Sequence, residues 1–183
     1  MRKEPTNLDF DEFVDELRAE GNPRALVILA SSKIDALLRD VLAKFFLDKA
    51  AKAKEPDELL DGDGPLSTYS SRIKSCRRLG LIDESFAKLL DRVRDLRNQA
   101  AHWISFTPSN SPIRDQFANL CGEVEKRTSY GLTVETYWGK EPLNEQSQRI
   151  QAILLTVCVI LESISRKVER VRENPKFISA STD

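Results

Sequence analysis

The chain is poor in the residues that build metal sites, disulfide frameworks and histidine-based chemistry. Its 183 residues include one histidine and three cysteines. Cys76, Cys121 and Cys158 are widely spaced and form no C-x-x-C pair, which argues against a zinc site or disulfide framework and for a reducing cytosol. The acidic run at residues 61–65 lacks the later ligand of a calcium loop. We therefore expect no metal ion and no other cofactor.

Neither sign of charge dominates the sequence, and no apolar run is long enough to cross a membrane. With 28 basic and 29 acidic residues the net charge is -1, so no overall field attracts nucleic acid or an anionic lipid surface. The longest apolar stretch, residues 152–161, is interrupted by Thr156 and is much shorter than a bilayer span. Residues 1–5 lead into acidic amphipathic sequence rather than an apolar signal core. We expect a cytoplasmic protein with no membrane contact.

Apolar residues recur at helical spacing along most of the chain, and its length suits one domain. The pattern predicts an all-α fold, a single domain over residues 1–183 with about six helices. Residues 128–137 instead alternate apolar and polar types, which predicts a small hairpin around Gly131 or an ordered loop. Residues 48–66 are interpreted as a solvent loop. The predicted helices are a short one opening at Thr6 or Asn7, then 24–47, 67–78, 83–102, 111–126 and 145–172.

The last predicted helix, about 145–172, carries an apolar stripe whose three- and four-residue steps match a coiled-coil seam. Periodicity does not separate packing inside one subunit from packing between two. Burial in the core of one chain and homodimerisation are therefore both open, and we expect a dimer in solution. The predicted oligomerisation residues are Ile150, Leu154, Val157, Leu161, Ile164 and Val168.

The single histidine, His102, closes the segment 97–102. Its pattern, R-N-x-x-x-H, resembles that of HEPN domains, and the resemblance implies a small helical module that cleaves RNA or binds nucleotides. In such a mechanism His102 exchanges protons with the ribose hydroxyl or the leaving oxygen, Arg97 stabilises phosphate charge and Asn98 orients the histidine. Asn98 and His102 share a helix face, with Arg97 at its edge. The alternative is structural: these side chains pin the helix end to its neighbours.

A second candidate site is a set of basic residues on two consecutive predicted helices. If these helices pack antiparallel, the side chains form a phosphate-binding strip beside His102, and RNA becomes a candidate partner. The alternative is a solvated face whose cations pair with nearby Glu84 and Asp91. No recognition helix follows a tight helix-turn-helix signature, so specific binding of duplex DNA is not expected. The strip residues are Arg72, Lys74, Arg77, Arg78 and Arg94.

Four segments within residues 20–122 together resemble the mannitol operon repressor family. The matching segments are 24–38, 64–73, 79–83 and 96–102, of which Gly-Pro-Leu-Ser-Thr-Tyr-Ser-Ser-Arg-Ile at 64–73 is the most distinctive. The resemblance implies an all-helical repressor of sugar-alcohol uptake without a recognisable DNA-reading element. We therefore predict a transcriptional regulator that acts through a protein partner or an oligomeric surface. The alternative is a HEPN-type, metal-independent endoribonuclease, or an RNA- or nucleotide-binding module, that uses Arg97 and His102.

Overall fold

The computed structural model describes residues 9–47, 56–104, 106–109, 111–139, 142–143 and 145–172. Over these residues the chain is helical and contains no strand, which confirms the predicted fold class. One more helix is present there than the sequence predicted. The helices are α1 (Phe10–Ala19), α2 (Pro23–Phe45), α3 (Tyr69–Arg78), α4 (Glu84–His102), α5 (Ser111–Val124), α6 (Thr128–Trp138) and α7 (Gln146–Lys167).

Short polar signals fix where the helices around the later site begin. Asn22 caps α2 by accepting hydrogen bonds from the N–H groups of its first turn, and Pro23 occupies the first helical position. Thr68 and Ser71 form a reciprocal capping box at the start of α3. Asp83 caps α4 with its side-chain carboxylate. Because each cap fixes the first turn, the sequence determines where these helix N-termini fall.

Residues 128–137 belong to a helix, so the prediction of a hairpin or an ordered loop there is wrong. α6 spans this segment. Its Tyr130, Thr133 and Tyr137 repeat at three- and four-residue steps; Thr133 is buried and both tyrosines pack against the core. The β-branched and aromatic residues of the segment therefore cover one helix face beside α7. Tertiary packing overrides their local preference for a strand.

α7 ends at Lys167, earlier than the predicted end near residue 172. Val168 leaves the helix with an extended backbone (ψ 130°). The N–H of Val171 then donates to the carbonyl oxygen of Phe45 at 2.7 Å. The chain thus turns away from the helix axis to reach the C-terminal end of α2, and Val168 is not part of a continuous helical seam.

The core lies where α2 and α7 pack against each other, with α4 on the other side of α2. Most of the predicted seam is inside this core. The fully or almost fully buried seam residues are Ile150, Leu154, Val157 and Leu161. Ile164 and Val168 are partly exposed. Since packing within one chain occupies four of the six predicted oligomerisation residues, dimerisation stays a prediction that needs a different surface.

α7 is long and apolar enough, by length and composition alone, to cross a membrane: its most apolar window has a mean hydropathy of 1.4. Of that window, 56% is buried inside the protein, as expected of a helix surrounded by its own fold. Its buried polar side chains also have partners. Gln151 Nε2 donates to the carbonyl oxygens of Arg18 and Glu20, and Thr156 Oγ1 donates to that of Ala152. α7 is therefore a core helix of this fold.

Candidate functional site

The R-N-x-x-x-H motif lies at the C-terminal end of α4. Leu96 and Ala100 are buried and anchor this end of the helix in the core. Arg97, Asn98 and His102 are exposed on the opposite side. None of the three makes a hydrogen bond or ion pair to another described element, so among the described residues no polar contact of theirs joins α4 to its neighbours.

The motif is divided between a cavity and open solvent. Arg97 Nη1 donates to Asn98 Oδ1 at 3.3 Å, and both residues line a cavity of about 300 Å³. His102 is not among the lining residues, and within the described part of the chain it has no hydrogen-bond partner. A catalytic base is usually oriented by a third group. None of the described residues orients His102 in this way.

The lining residues come from three helices, and we name the space the α2–α3–α4 cavity. α2 contributes two serines and an aspartate, α3 its capped N-terminus, and α4 two arginines and an asparagine. These side chains suit a polar ligand rather than an apolar one. The lining residues are Ser31, Ser32, Asp35, Thr68, Tyr69, Ser70, Arg94, Arg97 and Asn98.

Three polar atoms of the cavity residues are buried without a hydrogen-bond partner in the described structure: the hydroxyl oxygens Ser31 Oγ and Tyr69 Oη, and the carboxylate oxygen Asp35 Oδ1, which is in an ion pair with Arg72. Ser31 is only 2% exposed. Burial raises the pKa of Tyr69 well above its ordinary value, so its phenol keeps the proton that it can donate. Because an unpaired buried hydroxyl is unfavourable, the cavity has hydrogen-bonding capacity that the protein itself does not use.

The two arginines of the cavity differ in how their charge is paired. Arg94 Nη1 lies 2.7 Å from Asp91 Oδ1 and Nη2 lies 3.1 Å from Asp95 Oδ1. Nη1 also donates to Ser70 Oγ at 3.1 Å, which fixes the guanidinium against α3. Arg97 has no carboxylate partner among the described residues. Arg97 is therefore the cavity arginine whose guanidinium no described carboxylate holds, while Arg94 with its two carboxylates carries one excess negative charge.

Arg72 belongs to the fold and not to an exposed basic strip. It is 7% exposed, and its Nη1 lies 2.8 Å from Asp35 Oδ1. Nη2 and Nε donate to the carbonyl oxygens of Leu60 and Leu66 at 2.8 and 3.0 Å. These contacts join α3 to α2 and to the loop that precedes α3. As a result Arg72 cannot take the phosphate-binding role predicted for it, and the carboxylate of Asp35 in the cavity wall is neutralised.

The other predicted strip residues are divided between two places. Lys74, Arg77 and Arg78 are exposed on α3, whereas Arg94 lines the cavity. Arg77 Nε lies 2.9 Å from Glu84 Oε2, and this hydrogen bond lowers the pKa of Glu84. Such surface pairs are weak and exchange readily. Phosphate binding by the three exposed residues stays a prediction.

The three cysteines are buried and free. Burial raises the pKa of Cys76 to about 12 and also raises the pKa of Cys121 and Cys158. A thiol that stays protonated is a poor nucleophile and a poor metal ligand. Over the described residues, no group of three His, Cys, Asp or Glu side chains is placed to hold a metal ion.

An exposed apolar pair, which we name the Trp103–Ile104 tip, directly follows α4. Trp103 is 40% exposed and Ile104 is fully exposed. Arg24 Nη2, at the start of α2, donates to the carbonyl oxygens of both residues, at 3.0 Å to that of Ile104. Arg24 thus fixes the backbone that presents these two side chains. Sequence reasoning missed the tip, because a tryptophan beside an amphipathic helix predicts packing rather than exposure.

Comparisons with solved structures show which fold this is. The chain is similar to a chain of the X-ray structure of the MtlR–HPr complex from Escherichia coli, with a TM-score of 0.58 and 18% identity, covering 85% of this chain and 98% of that chain. It is also similar to a possible transcriptional regulator, YggD, from Shigella flexneri 2a strain 2457T, with a TM-score of 0.63 and 16% identity, covering 86% and 99%. No family model matches the chain, and no curated protein matches it significantly. The fold is therefore MtlR-like along most of the chain.

Proposed function

We propose that this chain is a cytosolic regulator of transcription that acts through a protein partner. One support is the MtlR-like fold, since the similar Escherichia coli protein is seen in a complex with HPr and YggD is described as a possible transcriptional regulator. At 18% and 16% identity these likenesses carry the fold alone, so the partner surface has to be argued from this chain's own residues.

The observation that carries the proposal is the Trp103–Ile104 tip. Exposed tryptophan is enriched among the residues that dominate binding energy in protein interfaces, and a large aliphatic neighbour adds buried area. Arg24 holds the backbone of the tip through two carbonyl oxygens, so little ordering is required when a partner binds. We propose that the tip is the centre of the interface, with HPr as the first partner to test.

Direct reading of DNA is the less favoured route for regulation. The net charge is -1, and several arginines that would attract phosphate are paired with carboxylates on the protein surface. Arg77 lies 2.9 Å from Glu84 and Arg92 lies 2.9 Å from Glu123. A phosphate contact by either arginine has to compete with its carboxylate. We expect weak, salt-sensitive DNA binding without sequence preference.

The test is a titration of the purified chain with HPr from its own organism. Ile104→Asp should weaken binding by about tenfold or more, because it places a charge in the proposed centre of the interface. Leu132→Asp is the matched control: Leu132 is 61% exposed on α6, a helix that contributes no residue to the tip. Equal loss in both variants, or no binding by the unaltered chain, would show that the proposal is wrong.

The second candidate function is a HEPN-type, metal-independent endoribonuclease. It is favoured by one observation, that Arg97 and Asn98 line a polar cavity while His102 is solvent-exposed on the same helix. In that mechanism His102 removes the proton of a ribose 2′-hydroxyl, which attacks the phosphate, and Arg97 stabilises the charge that develops. We place it second because His102 has no orienting partner among the described residues.

A further inference from the structure

We propose that the α2–α3–α4 cavity binds the phosphate group of a small ligand. The site is independent of the proposed interface, since neither Trp103 nor Ile104 lines it. It therefore adds an effector site to the regulator and does not depend on the identity of its protein partner.

The N-terminus of α3 supplies the first set of donors. A helix leaves its first N–H groups without intrahelical acceptors, and the partial positive charge there favours anions. In α3 the capping box satisfies the N–H groups of Thr68 and Ser71. The N–H groups of Tyr69 and Ser70 are left, and both residues line the cavity. α3 has ten residues, so its dipole spans nearly three turns.

The buried hydroxyls are the second, independent observation. Ser31 Oγ, on α2, is almost fully buried and has no partner in the described structure, and the same holds for the hydroxyl of Tyr69. A folded protein rarely leaves two such groups unpaired around one space without a reason. Phosphate oxygens accept several hydrogen bonds each, so a phosphate brings acceptors of the kind that these two hydroxyl donors lack.

The guanidinium of Arg97 is available to an anion in the cavity. Arg97 has no carboxylate partner among the described residues, and its planar guanidinium matches the geometry of phosphate. Arg94 is already held by Asp91 and Asp95, so it orients the site more than it adds charge. The one carboxylate in the wall, Asp35, is neutralised by Arg72 at 2.8 Å. Arg97 therefore offsets the one excess negative charge of Arg94, Asp91 and Asp95, and it is the guanidinium that we expect to contact phosphate.

The size of the cavity limits the ligand. A volume of about 300 Å³ is at the lower end for small-molecule sites, enough for a phosphate and a short organic group. His102 does not line the cavity, so binding of phosphate there does not require the histidine. The proposed site therefore does not imply that the protein cleaves RNA. This separates the proposed site from the RNase mechanism, in which His102 is essential.

The experiment measures binding of inorganic phosphate and of glycerol 3-phosphate to the full chain by calorimetry and by the rise in melting temperature, with glycerol as the unphosphorylated control. We expect both phosphates to bind and to stabilise the protein with increasing concentration, and glycerol to do neither. If glycerol 3-phosphate binds more tightly than inorganic phosphate, the cavity also recognises the organic group. Equal binding would mean that the phosphate alone is recognised. Either result supports the site.

Matched variants locate the binding. Arg97→Gln should weaken it about tenfold by removing a charged donor, and Ser31→Ala should weaken it by a smaller factor without lowering stability. Arg78→Gln removes an exposed arginine of α3 that does not line the cavity, and it should change nothing. His102→Ala should also bind normally. The proposal is overturned if neither phosphate binds at about 10 mM, or if Arg78→Gln weakens binding as much as Arg97→Gln.

Discussion

The α2–α7 core and the α2–α3–α4 cavity use the same helix, α2, in opposite ways. In the core, polar groups have partners: Lys44 Nζ donates to Ser165 Oγ at 2.7 Å, and Gln151 donates to two carbonyl oxygens. In the cavity, Ser31 Oγ and the Tyr69 hydroxyl have none in the described structure. Stability is concentrated where polar groups are satisfied, and binding capacity is retained where they are not.

The largest expected effect is the loss of stability when a charged residue is placed in the α2–α7 core. Leu161 is fully buried on α7, so Leu161→Asp buries an unpaired charge and should cost more than about 4 kcal/mol of unfolding free energy. Leu132→Asp, at an exposed position of α6, should stay within about 0.5 kcal/mol of the unaltered chain. Urea unfolding followed by circular dichroism measures both.

Leu161→Asp also tests whether the predicted seam on α7 packs between two subunits. If Leu161→Asp remains folded and converts a dimer into a monomer, the seam packs between subunits, and the burial of Leu161 within one chain is wrong. We expect unfolding instead.

A smaller effect tests the boundary between core and cavity. Arg72→Met removes one partner of a mostly buried ion pair and leaves three acceptors, on Asp35, Leu60 and Leu66, without their donor. The cost should be about 2–4 kcal/mol, below the value for a fully buried pair because Asp35 is partly exposed. Arg77→Met removes a surface pair and should cost less than about 1 kcal/mol. Similar losses in the two variants would contradict the structural role of Arg72.

An ion pair between α2 and the loop before α3 should make a pH-dependent contribution of intermediate size to stability. Arg39 Nε and Nη2 donate to the two oxygens of Asp61 at 2.6 Å, and these bonds hold the pKa of Asp61 at about 2, below its ordinary 3.8. Since both side chains are partly exposed, Asp61→Asn should cost roughly 1–2 kcal/mol at neutral pH.

The sign of the pH dependence follows from the lowered pKa of Asp61. Its contribution is fully present above about pH 4 and is lost as the pH falls through 3.8 towards 2. The stability difference between the unaltered chain and Asp61→Asn should therefore shrink over that range in urea unfolding at pH 7, 4 and 2.5. A difference that stays constant down to pH 2.5 would contradict the pairing with Arg39.

The smallest expected effect concerns the motif. His102 is exposed and unpartnered in the described structure, so His102→Ala should change the unfolding free energy by less than about 0.5 kcal/mol. We also expect no cleavage of single-stranded RNA above background by the unaltered chain in excess chelator. Cleavage that leaves 2′,3′-cyclic phosphate ends, is abolished by His102→Ala and is reduced by Arg97→Ala would instead establish the RNase function.

The fold could be predicted from local sequence signals. The site could not, because it is formed by residues that are far apart in the sequence. Asn22, Pro23 and Asp83 mark helix starts that depend only on neighbouring residues, so those helices were predictable. Gly64, in the most distinctive family-like segment, also has a local reason: a Cβ there would lie 2.5 Å from the carbonyl oxygen of Glu58. α6 was not predictable because only packing beside α7 shows which face of Tyr130 and its neighbours is buried.

The cavity depends on residues far apart in sequence. Ser31 on α2, Tyr69 on α3 and Arg97 on α4 come together only when the three helices pack. The basic character of α3 was visible in the sequence, but the burial of Arg72 against Asp35 was not, since periodicity does not show which arginine points inward. The pair Ser31-Ser32 within an apolar helix was the one local signal that could have indicated a polar wall.

The most direct test of the central claim compares two titrations of the unaltered chain at physiological salt. One uses HPr from the same organism, and the other uses duplex DNA from upstream of the chain's own gene beside a scrambled duplex. We predict a saturable one-to-one complex with HPr, and weak DNA binding that is equal for both duplexes and disappears as salt rises. Tight, salt-tolerant binding to the upstream duplex alone, with no complex formed with HPr, would contradict regulation through a protein partner.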